Sequence, residues 1–123
     1  MEEKIAMGKV LIVEDEKNLL DLYRMELEDE GYSVATAESG EMALKVSEEF
    51  QPDLVVLDIK LGDEEGLRVL SDLKYQNRTR PVILNTAYNH FKHDFSSWSA
   101  DAYLVKSSDI SELKSKIREL LAN

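Results

Sequence analysis

Four short runs in this chain are apolar at nearly every position: Val10 to Val13, Leu54 to Leu57, Val82 to Leu84 and Ala102 to Val105. A strand with one wet face alternates polar and apolar residues, so runs of this kind belong to strands covered on both faces, as parallel strands are when helices pack above and below them. The intervening segments carry apolar residues at helical spacing. The outcome is a βα rhythm repeated five times, with no Gly/Ser linker or low-complexity tract to mark a boundary between domains.

The first strand, about 9–13, leads into a helix over about 17–30 whose Leu19, Leu20, Tyr23 and Leu27 share one face, and Gly31 ends it. A shorter second strand covers 33–37. Ser39 then caps a helix reaching Phe50, with Ala43, Val46 and Phe50 facing inward, and Pro52 closes the turn. After the third strand comes a helix carrying Val69, Leu70 and Leu73, and Pro81 opens the fourth strand. A fourth helix over about 89–97 would carry the aromatic stripe Phe91, Phe95 and Trp98, read as core and rim and partly as partner surface. In the last helix Asp109 and Glu112 form an acidic variant of the capping box, and Ile110, Leu113, Ile117 and Leu120 make the buried stripe.

Right-handed βα units of this number wind into a flavodoxin-like α/β sandwich, for which the known strand order is 2-1-3-4-5. That order sets strands one and three side by side where the winding reverses, and ligands bind in the crevice outside their carboxyl ends. The strand ends here carry reactive side chains: Glu14 and Asp15 after the first, Asp58 after the third, Thr86 after the fourth and Lys106 after the fifth. Three carboxylates, a hydroxyl and an ammonium therefore converge on one edge of the sheet.

A length of 123 residues suits one domain with its own core. The hydrophobic share of 43% and charged share of 33% are those of a globular chain, and no apolar run approaches the roughly 18 residues of a membrane helix. A formal net charge of -10 opposes sequence-independent binding to nucleic acid and favours a cationic partner or a divalent metal. With no cysteine there is neither a disulfide framework nor a thiol nucleophile. The polar start Met1-Glu2-Glu3-Lys4 lacks the apolar segment of a secretory signal, and a cytoplasmic location is expected.

Crowded carboxylates raise one another's pKa unless a cation sits among them. An oxygen-only set without histidine or cysteine suits Mg²⁺, which takes one or two protein carboxylates and leaves positions for water and phosphate oxygens. Lys106 can pair with a phosphoryl group in transfer and Thr86 can hydrogen-bond one of its oxygens, which makes Asp58 the candidate nucleophile of an aspartyl phosphate.

Five stretches carry a family resemblance: VLIVEDE at 10–16, GYSVATAESG at 31–40, PDLVVLD at 52–58, Thr86-Ala87, and ADAYLVK at 100–106. Through them the chain resembles the receiver domain of bacterial two-component response regulators from about Gly8 to Leu121, with 1–7 as an N-terminal extension and 8–123 as the domain. The resemblance implies that Glu14 and Asp15 serve Mg²⁺ together with Asp58 and the Lys60 backbone carbonyl, and that Asp58 is the phosphoacceptor. It implies further that Thr86 is the switch hydroxyl, Lys106 the phosphoryl partner and Tyr103 the aromatic that turns inward when the threonine moves. The donor in the family is a histidine of a sensor kinase or phosphotransfer protein. The phosphoryl group then biases two packings of the face built by the fourth helix, fifth strand and fifth helix, in a monomer or a phosphorylation-linked homodimer.

Several positions depart from the family pattern. Ser107 follows Lys106 where receivers usually have proline; a cis bond without proline costs roughly 2.5 to 4 kcal/mol, so a trans Lys106-Ser107 bond is expected. Gly62 replaces another common proline, and the acids Asp63, Glu64 and Glu65 after it read as a solvated helix start. Lys60 and Tyr88 are bulky at the two positions that tune hydrolysis, which implies slow self-dephosphorylation. His90 and His93 lie one turn apart but have no evident third ligand. Two other readings stand beside the signalling one. The first is a degenerate receiver that binds partners without phosphorylation. The second is an aspartate-nucleophile phosphatase, which would need an acid two residues beyond Asp58, where Lys60 stands. A nucleotide-binding enzyme would need a glycine cradle after the first strand, and Glu14-Asp15-Glu16-Lys17 has none.

Overall fold

The computed structural model describes residues 8–58, 64–87, 100–107 and 109–122, with the side chains of Glu64 and Glu65 left aside. Along the chain these residues form β1 (Lys9–Val13), α1 (Lys17–Asp29), β2 (Ser33–Ala37), α2 (Gly40–Phe50), β3 (Leu54–Leu57), α3 (Glu64–Gln76), β4 (Val82–Thr86), β5 (Ala102–Val105) and α4 (Ser111–Leu121). All four pairings are parallel, as the apolar runs predict, and the order is β2-β1-β3-β4-β5, the one known for the flavodoxin-like fold.

β3 is buried at every position, which explains why its sequence does not alternate. Odd and even residues of β1 feed two separate cores, because successive side chains leave a strand on opposite faces. Val10 and Ile12 join Leu20, Tyr23, Leu27, Leu113 and Ile117 beneath α1 and α4. Leu11 and Val13 join Ala43, Val69, Leu70 and Leu73 beneath α2 and α3.

Local chemistry sets the element ends. Ser39 Oγ accepts from Met42 N–H at 3.2 Å and starts α2. Gly31, at φ 108°, turns the chain after α1 in a conformation that a side chain would strain. Three expectations need adjustment. In α2 the fully buried position beside Ala43 is Ser47, not Phe50, which is half-buried beneath the Lys9 ammonium at 5.4 Å. The reason is Arg80, whose guanidinium reaches inward and donates to Ser47 Oγ at 2.6 Å, pulling that helix face over it. The capping box of α4 is half-made: Asp109 Oδ1 accepts from Ser111 N–H at 3.0 Å, while the Asp109 N–H donates to Ser107 Oγ at 3.1 Å rather than to Glu112. β4 also runs two residues further than its apolar run, because Asn85 and Thr86, both buried, continue the ladder opposite Leu104 and Val105 of β5.

The expected helix over 89–97, its Phe91, Phe95 and Trp98, the pair His90 and His93, Tyr88, Lys60, Gly62 and Asp63 lie outside the described residues, as does the 1–7 extension.

Candidate functional site

β1 and β3 run in register, with Val13 opposite Leu57, and the Asp58 N–H continues the ladder to the Val13 carbonyl at 3.1 Å. Glu14 and Asp58 therefore leave the sheet side by side. Glu14, Asp15 and Asp58 each offer a carboxylate oxygen, and the three oxygens lie within 4.8 Å of one another. Their exposures differ: Glu14 is buried, Asp15 open to solvent and Asp58 between the two.

From the other side of β3, β4 and β5 deliver the remaining groups. Thr86 pairs with Val105, and the Lys106 N–H donates to the Thr86 carbonyl at 2.7 Å. The Lys106 ammonium lies 2.7 Å from Glu14 Oε1 and 3.3 Å from Asp58 Oδ2. Glu14 is bound at its second oxygen as well, since Oε2 accepts from the Glu16 N–H at 3.1 Å. Every peptide bond among the described residues is trans, Lys106-Ser107 included, so the ammonium reaches both carboxylates without a cis bond.

Burial, and after it the charge of Glu14, pushes the Asp58 carboxyl up from 3.8 to about 6, although Lys106 acts against them. Burial would lower the Lys106 ammonium, but its hydrogen bond to Glu14 and the charge of Asp58 outweigh that and hold it above its ordinary value. One lysine thus leaves the three acids short of positive charge. A hard divalent ion fits that deficit and the all-oxygen donor set. Beside the carboxylates opens a cleft of about 200 Å³, lined by Asp15, Asp58, Ser39, Gly40 and Gly66, with Val69 among its apolar walls.

Thr86 and Tyr103 are buried, at 1% and 6% exposure. They leave neighbouring strands on the same sheet face, because Tyr103 pairs with Leu84, two residues before Thr86. Of the residues singled out from the sequence, Glu14, Asp15, Asp58, Thr86 and Lys106 meet at one sheet edge and Tyr103 lies on β5 leading to it. The sequence reading passed over Asn85, whose buried Nδ2 donates to the Tyr23 hydroxyl at 3.2 Å. A lone amide inside an apolar strand was the signal that could have found it.

This is a doubly wound α/β domain with acids and a lysine at the carboxyl edge of its sheet, and comparison with known proteins gives the family. Residues 10–118 match the response regulator receiver domain family, and the chain belongs to it. Response regulator ArlR of Staphylococcus saprophyticus is 38% identical over 117 residues, covering 94% of this chain and 53% of that protein. The chain spans about half the length of ArlR and of two other curated relatives that it matches, PhoP of Bacillus subtilis and TcrX of Mycobacterium tuberculosis. Among solved structures, response regulator TrrA of Thermotoga maritima in complex with Mg²⁺-BeF has a TM-score of 0.83 at 44% identity, over 91% of this chain and 97% of that one. TrrA has also been crystallised with the histidine kinase ThkA, where it has a TM-score of 0.82 and covers 92% of this chain and 97% of its own. A CheY-like receiver domain from Methanospirillum hungatei has a TM-score of 0.84 at 32% identity, covering 93% of each chain.

Proposed function

We propose that residues 8–123 form a receiver unit in which Asp58 accepts a phosphoryl group from a phosphohistidine of a sensor kinase or phosphotransfer protein. The observation that carries this reading is the meeting of Glu14, Asp15 and Asp58 within 4.8 Å, bridged by a lysine that contacts both Glu14 and Asp58. The capture of TrrA with Mg²⁺-BeF and with ThkA supports the choice of metal and of donor.

In this reading Glu14, Asp15 and Asp58, with the Lys60 carbonyl that the family resemblance implies, would hold Mg²⁺, which would supply positive charge against the carboxylates and the incoming phosphoryl oxygens. An Asp58 oxygen attacks phosphorus, the bond from phosphorus to the donor nitrogen breaks, and the imidazole departs with its electron pair. Lys106 leaves Glu14 and pairs with the new phosphoryl oxygens, and Thr86 donates its hydroxyl to one of them. Tyr103 follows Thr86 on the same sheet face and alters the surface beside β5 and α4. The domain acts on its own phosphoryl group alone, in the cytoplasm where such kinases hold their phosphohistidine.

Incubation with Mg²⁺ and a small acyl phosphate, followed by intact mass, tests the reading. A phosphoryl adduct on the natural chain that is missing from Asp58→Asn is expected. An unmodified natural chain, or an equal adduct on both, contradicts it and favours the receiver that binds partners without phosphorylation.

A further inference from the structure

The acids Glu14 and Asp15 follow β1, which does not pair with β4, because β3, the strand that ends in Asp58, lies between them. Lys106 spans the gap with its ammonium. A second bridge lies under the sheet on the side of α1. Asn85 of β4 and Tyr23 of α1 are each 4% exposed and are joined by the 3.2 Å hydrogen bond from the amide to the phenol. A buried amide without a partner is destabilising, and apolar residues would fill this strand without that risk. The pair is therefore a specific tie between two elements rather than generic filling.

The tie is connected at both ends. Asn85 directly precedes Thr86, whose carbonyl receives the Lys106 N–H at 2.7 Å, so the height of Asn85 along β4 sets the height of both site groups. At the other end, α1 is anchored to the acids. Glu16 donates its N–H to Glu14 Oε2, and its carbonyl accepts from the Leu20 N–H. A cavity of about 10 Å³ beside the pair, lined by Tyr23, Asn85, Ser107 and Asp109, has room for about one water and extends the contact to the loop after Lys106. Burial raises the Tyr23 phenol, which keeps it a neutral hydrogen-bonding group at working pH.

We infer that Tyr23 and Asn85 are a positioning pair that registers the hydroxyl and ammonium half of the site against its carboxylate half, so that phosphoryl transfer depends on a bond touching neither phosphorus nor metal. The inference rests on Asp58 being the phosphoacceptor. Breaking the bond leaves all three acids in place, so metal affinity and transfer rate separate.

The test uses the full chain, Tyr23→Phe, Asn85→Leu, their double variant and the milder Asn85→Ser. Three readouts are taken: phosphorylation rate at saturating Mg²⁺ and acyl phosphate, Mg²⁺ affinity by calorimetry, and melting temperature. Each single variant should transfer about tenfold more slowly, because small misplacements at a reacting centre are costly in rate. Mg²⁺ affinity should stay within about twofold, and the double variant should be no slower than the slower single one, as expected for two groups acting as a unit. A lowered melting temperature with an unchanged saturated rate would mean a purely structural role and would overturn the inference. So would losses that multiply in the double variant. No uptake by the natural chain overturns the phosphoacceptor reading and this inference together, whereas natural uptake with an unchanged rate in Tyr23→Phe and Asn85→Ser overturns this one alone.

Discussion

Glu14 is 3% exposed and takes Lys106 at 2.7 Å, while Asp58 stands 3.3 Å from the same ammonium. The shorter contact goes to the more deeply buried acid, which leaves Asp58 the less compensated of the two. Its folded pKa of about 6 lies above the ordinary 3.8, so the fold favours its protonated form. The stability linked to this group is present in full below pH 3.8 and is lost as pH rises through about 6. Asp58→Asn should consequently stabilise the metal-free fold by about 1 to 2 kcal/mol at pH 7.5, a figure reduced for solvent around the carboxyl, and by much less near pH 4. Urea unfolding at the two pH values measures the difference. Lys106→Met acts in the opposite direction. It strands the Glu14 charge in the interior and should cost about 3 kcal/mol, most of which Glu14→Gln in the same chain should restore.

Among the elements, the far end of the sheet is held by a second polar network. Asp101, just before β5, accepts from the Val82 N–H at 2.8 Å and from the Lys74 ammonium at 2.7 Å, and Lys74 also donates to the Arg80 carbonyl. Asp101→Ala removes both acceptor bonds and should destabilise by about 2 kcal/mol in denaturant, since one of the two lost bonds is charge-assisted and the Lys74 ammonium keeps only the Arg80 carbonyl. The apolar runs made β1, β3, β4 and β5 legible from sequence, because burial on both faces removes every alternative period. The strand-end acids, Thr86 and Lys106 were legible for the same reason: parallel strands place all their carboxyl ends on one edge. The ties made by buried polar side chains were not. Ser47 with Arg80 and Tyr23 with Asn85 join residues 33 and 62 positions apart, and neither composition nor periodicity reports which polar group finds which partner. The same pairing explains why Ser47, rather than Phe50, lies deepest in α2.

For the molecule as a whole, the site is a store of like charge inside a chain of net charge -10. Mg²⁺ held by the three acids would relieve that repulsion in the folded state only and so would stabilise by mass action. At Mg²⁺ concentrations one hundred times the dissociation constant, thermal denaturation should report about 2.7 kcal/mol of added stability. Asp15→Asn should abolish most of that gain, and chelation should reverse it. Neither effect requires a phosphoryl donor, so both separate metal binding from transfer. The central claim is that phosphorus arrives on Asp58. Borohydride reduction of the protein after treatment with Mg²⁺ and acyl phosphate, followed by peptide mass mapping, tests this most directly because it converts an aspartyl phosphate to homoserine at its own position. Homoserine at residue 58 is the predicted result; homoserine at another aspartate, the corresponding alcohol at a glutamate, or no reduced residue in the treated chain would contradict the account.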